Sequence, residues 1–284
     1  MIGAGALVTG SGRGLGLEIA RVLAGRGLTV HLTDLDEASA ASAAAQIGGT
    51  AFASALDVRD AEACRAAACA TVERAGSLAV WVNNAGVLTP GPAWQQDEAA
   101  RRLMIDVNAH GTINGTLAAL EPMRQSGSGH VINVISLAGL VAAPGETVYA
   151  ASKHAAIAFS VGTLMDLRRA GIERIDISCL CPDGIWTPML EDKLDDPAAA
   201  ASFIGTLLLP EQVAERVGAL LDKPRPVTAM PPYRGALIRI VDLFPRLGLR
   251  ILGPMFVQAA QKQRRIKRKV AAGKWPPSKN AAGR

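Results

Sequence analysis

The sequence predicts an α/β fold in which helices cover both faces of a parallel sheet. Three observations predict it. Short apolar runs of strand length alternate with longer segments of helical periodicity along most of the chain. A glycine-rich turn joins the first strand to the first helix. Polar residues directly follow several strands, which is typical of the ligand-binding edge of a parallel sheet.

The first strand and the turn after it form a phosphate-binding context. Ile2–Val8 is a short apolar run, Thr9–Gly16 is glycine-rich, and apolar residues then recur at helical spacing. Glycines let the backbone approach a pyrophosphate, whose charge faces the helix N-terminus. The alternative is a tight turn that holds no ligand. The residues expected to contact a cofactor here are Gly10, Ser11, Arg13, Gly14, Leu15 and Gly16.

The second strand, Leu28–Thr33, ends at an acidic residue. Asp34 follows Gly16 by 18 residues, and a carboxylate at this strand end can accept hydrogen bonds from an adenosine ribose. It would also repel a 2′-phosphate, which favours NAD over NADP. Arg13 argues the other way, because it could pair with that phosphate. Asp34 carries more weight, since its carboxylate would act at contact distance.

Further alternation of helices and strands extends the predicted sheet. The next segments are a helix, a strand, a helix and a strand: Ala38–Ile47, Thr50–Leu56, Ala61–Ala75 and Leu78–Val82. Right-handed crossovers place the carboxyl ends of these strands on one edge. An adenine edge can meet the end of the third strand, and Asn83–Gly86 follow the fourth. The residues expected to line the ligand site here are Asp57, Val58, Asn84, Ala85 and Gly86.

A long helix is predicted over Asp97–Met123, with Asn108 inside it. Asn is mildly unfavourable in a helix interior. It either faces solvent or marks a local kink that frees a backbone carbonyl for a water. Val131–Ile135 is the next strand, and Ser136 follows it directly.

The helix predicted from about Thr147 to Arg169 carries Tyr149 and Lys153, four residues apart and therefore one turn apart on one face. An ammonium close to a phenol favours the phenolate. Such a pair can pass a proton to or from an alcohol or ketone. Taken alone, a Tyr and a Lys at this spacing are more often an exposed pair on the surface of a helix.

The remaining predicted elements complete the chain up to residue 229. They are a strand (Arg174–Leu180), a loop (Cys181–Met189), a lid of about 186–209, a helix (Pro210–Leu221) and a short strand (Val227–Ala229).

Over residues 2–230 these motifs together resemble the short-chain dehydrogenase/reductase family in its compact single-domain branch. The motifs that carry the resemblance, in family order, are Thr9–Gly16, Asp57, Asn83–Gly86, Asn108, Ser136 and the Tyr149/Lys153 pair. The resemblance implies a Rossmann-type sheet of about seven parallel strands, a nicotinamide cofactor and no metal. It also implies a homodimer or homotetramer formed through the helices near 97–123 and 147–169.

The resemblance implies a role for each site residue. Tyr149 is the catalytic acid/base, and Ser136 hydrogen-bonds the substrate oxygen. Lys153 lowers the pKa of Tyr149 and holds the nicotinamide ribose, and Asn108 holds a water that relays protons to Lys153. The cofactor contacts implied beyond the glycine turn and the strand ends are Tyr149, Lys153, Pro182, Ile185 and Thr187.

Two positions depart from the family pattern. Asp183 stands where a glycine usually follows Pro182, and Ile135 stands where a serine often precedes the catalytic serine. The carboxylate of Asp183 either meets the nicotinamide or the substrate, or turns outward. Ile135 adds apolar packing.

The C-terminal part lies outside the resemblance. Residues 231–260 form an apolar stretch with Arg239, Asp242, Arg246 and Arg250 on one helical face, which predicts an amphipathic helix pair broken near Pro245. Residues 261–284 hold nine Lys or Arg and no acid, and we expect a flexible basic tail. The helices either cap the substrate cleft or a dimer contact, or rest on an anionic membrane. Nucleic-acid binding is disfavoured, because a single aromatic residue, Trp275, lies among the charges.

Composition limits the class of protein. Residues 1–260 carry 21 basic against 25 acidic residues, so the body is mildly acidic despite a formal net charge of +5 for the whole chain. No apolar run is long enough to span a membrane, and the N-terminus lacks a signal-peptide pattern. The four cysteines show no zinc-ligand spacing and are expected to be buried free thiols in a reducing cytoplasm.

The sequence therefore predicts a cytoplasmic NAD-dependent oxidoreductase that interconverts a secondary alcohol and its ketone, with membrane association as the alternative location. An apolar pocket predicts a steroid-like or other hydrophobic substrate. The expected pocket residues are Leu137, Leu140, Val141, Trp186, Met189, Leu190 and Phe203. The alternatives are an NADP-dependent reductase of 3-oxoacyl-type ketones and a nucleotide-binding sensor without turnover.

Overall fold

The computed structural model of the chain describes residues 2–276. It contains seven strands: β1 (Gly5–Thr9), β2 (Thr29–Asp34), β3 (Phe52–Ala55), β4 (Leu78–Asn83), β5 (Gly129–Val134), β6 (Ile175–Pro182) and β7 (Val227–Met230). They form one parallel sheet in the order β3-β2-β1-β4-β5-β6-β7, which confirms the predicted fold class. Strands β1 and β4 are neighbours, but the chain continues from them in opposite directions. A crevice outside their carboxyl ends is the usual ligand site of such a sheet.

The helices within the described residues are α1 (Gly14–Gly25), α2 (Glu37–Ile47), α3 (Ala61–Ala75), α4 (Glu98–Ile105), α5 (Gly111–Ser126), α6 (Thr147–Arg169), α7 (Pro188–Glu191), α8 (Pro210–Asp222), α9 (Pro232–Leu243) and α10 (Pro245–Ala271). A π-helical turn covers Asp106–His110, and 3-10 turns cover Leu137–Gly139 and Pro197–Phe203.

Two hydrophobic cores fix the helices on opposite faces of the sheet. On one face α1, α2 and α8 pack on the strands through fully buried residues such as Ile19, Leu23 and Val217. On the other face α3, α5 and α6 pack around Trp81 and Met123. The strands are buried on both sides, so their carboxyl ends emerge at one rigid edge.

The long helix predicted over 97–123 is divided. Helix α4 ends at Ile105, and α5 begins at Gly111 after the π-helical turn, in which the amide of Gly111 bonds the carbonyl of Asp106. The π-helical turn agrees with the kink alternative, and the full burial of Asn108 excludes the solvent-facing one. A Cβ on Gly111 would lie 2.6 Å from a methyl carbon of Val58, so only glycine allows this close packing.

The C-terminal extension forms the two helices that the sequence predicts, with the break before Pro245. The expected flexible tail is wrong for residues 261–271, because they continue helix α10. Gln263 and Ile266 are 4% and 3% exposed, so this part of the helix is packed against the body. Residues 277–284 lie outside the described part of the chain.

Candidate active site

The glycine turn between β1 and α1 has the shape expected of a phosphate cradle. Gly10 has a φ of 61°, which favours glycine, and a Cβ on Gly16 would lie 2.2 Å from the carbonyl oxygen of Gly10. The N-cap residue of α1, Arg13, makes no side-chain cap. The amides of the first turn therefore remain available to an anion, and the residues fit the pyrophosphate of a dinucleotide.

The turn after β4 braces this cradle. The amide of the Asn84 side chain donates to the carbonyls of Thr9 (3.0 Å) and Gly10 (2.9 Å). In return, the Thr9 hydroxyl oxygen accepts from the backbone amides of Asn84 and Ala85, both at 3.0 Å. These bonds join the ends of β1 and β4 at the crevice. The sequence did not assign this bracing role to Thr9.

Two acidic residues stand at neighbouring strand ends. Asp34 accepts a hydrogen bond from the amide of Gly12 at 3.0 Å. Asp57 is paired with Arg59, whose Nε lies 2.9 Å from Oδ1, and this pairing lowers the pKa of Asp57. Arg59 is a residue that the sequence analysis missed, and it also lines the cavity described next.

One cavity of about 630 Å³ joins these strand ends to α6. Of the residues predicted to bind cofactor or act in catalysis, those that line it are Gly10, Arg13, Gly14, Leu15, Gly16, Asp34, Asp57, Val58, Asn84, Ala85, Gly86, Ser136, Tyr149, Lys153, Pro182, Ile185 and Thr187. Ser11 does not line it. Its side chain is buried and donates to the carbonyl of Val8 at 2.9 Å, so Ser11 supports the turn from behind.

Ser136, Tyr149 and Lys153 converge on this cavity. Ser136 follows β5, and its hydroxyl lies close enough to the phenol of Tyr149 to act on the pKa of that phenol. Lys153 is one turn after Tyr149 on α6 and is 4% exposed. Its Nζ donates to the carbonyl of Val134 at 3.3 Å and lies 5.6 Å from the centroid of the Tyr149 ring. A hydroxyl, a phenol and an ammonium therefore face one space.

The electrostatics of this group differ from the prediction. Burial raises the pKa of Tyr149 above its ordinary value, the carboxylate of Glu146 raises it further, and the nearby Ser136 hydroxyl opposes both. Burial also lowers the pKa of Lys153 to about 8. The pKa of Tyr149 is therefore raised on balance in the protein by itself and not lowered as predicted, because desolvation of the phenolate outweighs the attraction of the Lys153 ammonium.

Asn108 lies behind the cavity and does not line it. Its Nδ2 donates to the carbonyl of Val87 (2.9 Å) and to the hydroxyl of Ser152 (3.1 Å), while its Oδ1 accepts from the amide of Val87 (2.8 Å). The backbone carbonyl of Asn108 accepts from the Thr112 hydroxyl at 2.8 Å. The side chain thus holds the loop after β4 against α6.

The other end of the cavity is apolar, as predicted, but only some of the predicted pocket residues line it. Leu137, Val141, Met189 and Leu190 line it. Leu140, Trp186 and Phe203 do not. Leu140 packs beside Ile135 and Ile157, and Trp186 and Phe203 form a hydrophobic cluster with Ile266 of α10.

Helix α9 forms the roof of the cavity, which agrees with the alternative that the extension caps the substrate cleft: Arg234, Leu237, Ile238 and Val241 line the cavity. Glu146, which is 5% exposed, also lines it. Glu146 could have been predicted as a site residue, because it lies about one helical turn before Tyr149 in the sequence. No comparable signal pointed to Arg234.

The segment after α7 lies in the predicted lid of about 186–209, and α10 fastens it. Gln263 donates to the carbonyls of Lys193 (3.0 Å) and Asp196 (2.8 Å), and Lys262 donates to the carbonyl of Gly205. On the other side, the Ser202 hydroxyl donates to Glu146. The lid is therefore held between the C-terminal helix and the start of α6.

Comparisons with known proteins agree with this geometry. The sequence model of the short chain dehydrogenase family matches residues 4–198. Cyclopentanol dehydrogenase from Comamonas sp. (strain NCIMB 9872) is 35% identical over 206 residues, which cover 72% of this chain and 81% of that protein. Trans-4-hydroxycyclohexanecarboxylate dehydrogenase from Sinomonas cyclohexanicum is 36% identical over 193 residues, 65% of this chain and 73% of that protein.

A solved structure is similar over most of the fold. It is a short chain dehydrogenase/reductase from Burkholderia phymatum in complex with NAD, with a TM-score of 0.79 and 26% identity, covering 87% of this chain and 95% of that chain. The family match, the sheet and the convergence of Ser136, Tyr149 and Lys153 lead to one assignment. The chain is an oxidoreductase that belongs to the short-chain dehydrogenase family.

Proposed function

We propose that the protein is an NAD-dependent oxidoreductase that interconverts a lipophilic secondary alcohol and its ketone, with Tyr149 as acid/base. The observation that carries this proposal is the convergence of the Ser136 hydroxyl, the Tyr149 phenol and the Lys153 ammonium on the cavity that the glycine turn also lines. A bound nicotinamide cofactor would supply hydride acceptance or donation there.

The chain's own residues supply the proton chemistry in this proposal. In the reductive direction negative charge grows on the carbonyl oxygen, which the Ser136 hydroxyl and the Tyr149 phenol stabilise as donors. Tyr149 gives its proton to that oxygen, and its raised pKa keeps the phenol protonated before the reaction. In the oxidative direction the positive charge of Lys153 favours the phenolate that accepts the proton. Asn108 is proposed to orient the relay that restores the proton.

The preference for NAD rests on Asp34. Its carboxylate lines the cavity at the end of β2, where it would bind ribose hydroxyls and repel a 2′-phosphate. Arg13 is exposed and lines the same region, so it supports the alternative, an NADP-dependent reductase of 3-oxoacyl-type ketones. Thermal unfolding with each cofactor separates the two. NAD is expected to raise Tm and NADP to have a small effect, whereas stabilisation by NADP alone would refute the proposal.

A screen of hydrophobic secondary alcohols, followed by nicotinamide absorbance, tests the substrate class. Cyclopentanol, which one relative is named for, is a cyclic secondary alcohol and belongs in the first set. The cavity's apolar end, formed by Leu137, Val141, Met189 and Leu190, supports this class. Turnover confined to short polar alcohols would contradict it.

Replacing Tyr149 with Phe tests the role of the phenol and also the sensor alternative. The ring remains and the hydroxyl is lost, so turnover is expected to fall about 100-fold or more while NAD still raises Tm. Tyr233→Phe is the matched control, because Tyr233 is the chain's other tyrosine and is 63% exposed. If Tyr149→Phe turned over its alcohol at the wild-type rate, the assignment would be lost.

We also propose a homo-oligomer formed through α5 and α6. Leu117 on α5 and Met165 on α6 are 51% and 62% exposed, which is unusual for large apolar side chains without a partner. Light scattering after gel filtration measures the mass. Leu117→Glu and Met165→Glu are expected to lower it to that of a monomer. A wild-type protein that is already monomeric would refute the proposal.

A peripheral contact with an anionic membrane is proposed for the extension. Among residues 2–276 no helix is long and apolar enough to cross a bilayer. Ile240 and Leu243 of α9 are 54% and 74% exposed, and Arg264 and Arg268 of α10 are exposed. Apolar and basic residues together favour an anionic lipid surface. Co-sedimentation with phosphatidylserine vesicles should fall as salt rises, and absence of binding at low salt would refute it.

A further inference from the structure

Asp183, which stands where the family pattern has glycine, forms a buried ion pair with helix α9. Its Oδ2 accepts from Nε of Arg234 at 3.0 Å and from the amide of Thr206 at 3.2 Å, and its Oδ1 accepts from the amide of Gly184 at 3.1 Å. The side chains of Asp183 and Arg234 are 10% and 14% exposed. The carboxylate therefore turns toward α9 and fixes the orientation of the guanidinium.

The charges of Asp183, Arg234 and Lys262 do not cancel, because two are positive and one is negative. Lys262 of α10 is half-buried, and its Nζ donates to the carbonyl of Gly205, next to Thr206. Burial lowers the pKa of Lys262, the Asp183 carboxylate raises it, and the Arg234 guanidinium lowers it. The three charges are therefore close enough to interact. Two cations thus share the Asp183 carboxylate, while the other buried carboxylate in this part of the cavity, Glu146, is hydrogen-bonded to Ser202. Uncompensated charge in such surroundings is costly unless an anion pairs with it.

Arg234 has donors left to bind that anion. Asp183 uses the Nε hydrogen, and no acceptor among the described residues takes a hydrogen bond from Nη1 or Nη2. Arg234 lines the cavity together with the apolar side chains of Leu237, Ile238 and Val241. The free edge of a guanidinium matches the two oxygens of a carboxylate.

We propose that Arg234, held by Asp183, is the anion-binding group of the substrate cavity, and that the substrate is a secondary alcohol or ketone with an apolar body and a carboxylate. This rests on the proposed oxidoreductase function and narrows its substrate. A carboxylate is favoured over a phosphate monoester because its single negative charge matches the single excess positive charge of Asp183, Arg234 and Lys262. Lys262 adds to the local field and is not in the direct contact.

Paired substrates that differ only in charge test the proposal. The wild-type protein with NAD is assayed with trans-4-hydroxycyclohexanecarboxylate and with its methyl ester. Hydrogen bonds to a charged group contribute about 1.5–3 kcal/mol, so kcat/KM is expected to be roughly 10- to 100-fold higher for the acid. Equal values for acid and ester would overturn the proposal without any variant being needed.

Variants assign the preference to Arg234. Arg234→Met keeps much of the apolar stem and is expected to lower kcat/KM for the acid at least tenfold more than for the ester. Arg234→Lys, which keeps the charge and loses the planar fork, should restore part of the difference. Arg239→Met removes an exposed arginine from the same helix and should keep the wild-type preference. Equal losses on acid and ester in Arg234→Met would mean that the ion pair only fastens the loop, and would overturn the proposal.

A binding measurement keeps this test separate from the proposed reaction. Cyclohexanecarboxylate has no hydroxyl to oxidise, so calorimetry of its binding, compared with the uncharged cyclohexanecarboxamide, does not depend on turnover. Tighter binding of the acid in the wild type, lost in Arg234→Met, supports the anion site even if no alcohol is oxidised. Equal binding of acid and amide would refute the anion site even if alcohols are oxidised.

Discussion

Replacing Gln263 with Ala should loosen the substrate lid from a distance. Gln263 lies on α10, is 4% exposed, and donates two hydrogen bonds to lid carbonyls at 3.0 and 2.8 Å. Each such bond contributes about 1 kcal/mol net, and its loss leaves a partly buried carbonyl without its partner. The variant is therefore expected to weaken lid docking by about 2 kcal/mol, a factor of roughly 30 in the population of the undocked lid.

Hydrogen exchange followed by mass spectrometry measures this population directly. Peptides that cover residues 190–206 are expected to exchange faster in Gln263→Ala, while peptides from β1, β4 and β5 keep their wild-type protection. KM for the substrate should rise, because part of the binding energy must dock the lid. Gln261→Ala is the matched control, since Gln261 is an exposed residue of the same helix. Unchanged exchange in residues 190–206 of Gln263→Ala would refute the clamping role of α10.

Three further predictions follow from the same structure. Gly16→Ala places a Cβ 2.2 Å from the Gly10 carbonyl oxygen and should abolish the rise of Tm with NAD, whereas Gly25→Ala, which meets nothing within 4 Å, should retain it. Burial lowers the pKa of His31 from 6.5 to about 4, so the unfolded chain binds the proton at a higher pH than the folded chain does. The free energy of unfolding should therefore fall by up to about 3 kcal/mol as the pH drops from 6.5 to 4. His31→Gln should reduce this decrease, as measured by chemical denaturation at several pH values. Iodoacetamide should label Cys69 alone in the native protein, since the other three cysteines are buried with raised pKa values, and mass spectrometry would expose any second label.

The sequence predicted the sheet and its ligand edge because local signals determine both. The glycine turn, the polar residues at strand ends and the Tyr149/Lys153 spacing each follow from the geometry of a single strand–turn–helix or a single helix. Once a parallel sheet is predicted, right-handed crossovers bring those strand ends together without knowledge of any long-range contact.

That the extension caps the cleft was one of the alternatives considered, but the side chains that it places there could not be predicted in this way. Trp186 and Phe203 were expected in the pocket because they lie in an apolar loop, but α10 covers them through Ile266. Asp183 had no assignable partner because Arg234 is 51 residues away in sequence. Contacts between distant segments depend on how the extension packs, and composition carries no information on that packing.

The extension therefore contributes more to the cavity than its position outside the family match suggests. The family model ends at residue 198, whereas Arg234, Leu237 and Val241 line the cavity and Gln263 holds its lid. The matched region contains the glycine turn and the Ser136, Tyr149 and Lys153 group, but it does not contain the roof formed by α9. The relatives' names accordingly support the type of reaction, and the acid-against-ester comparison at Arg234 is the more direct way to determine which alcohol this protein uses.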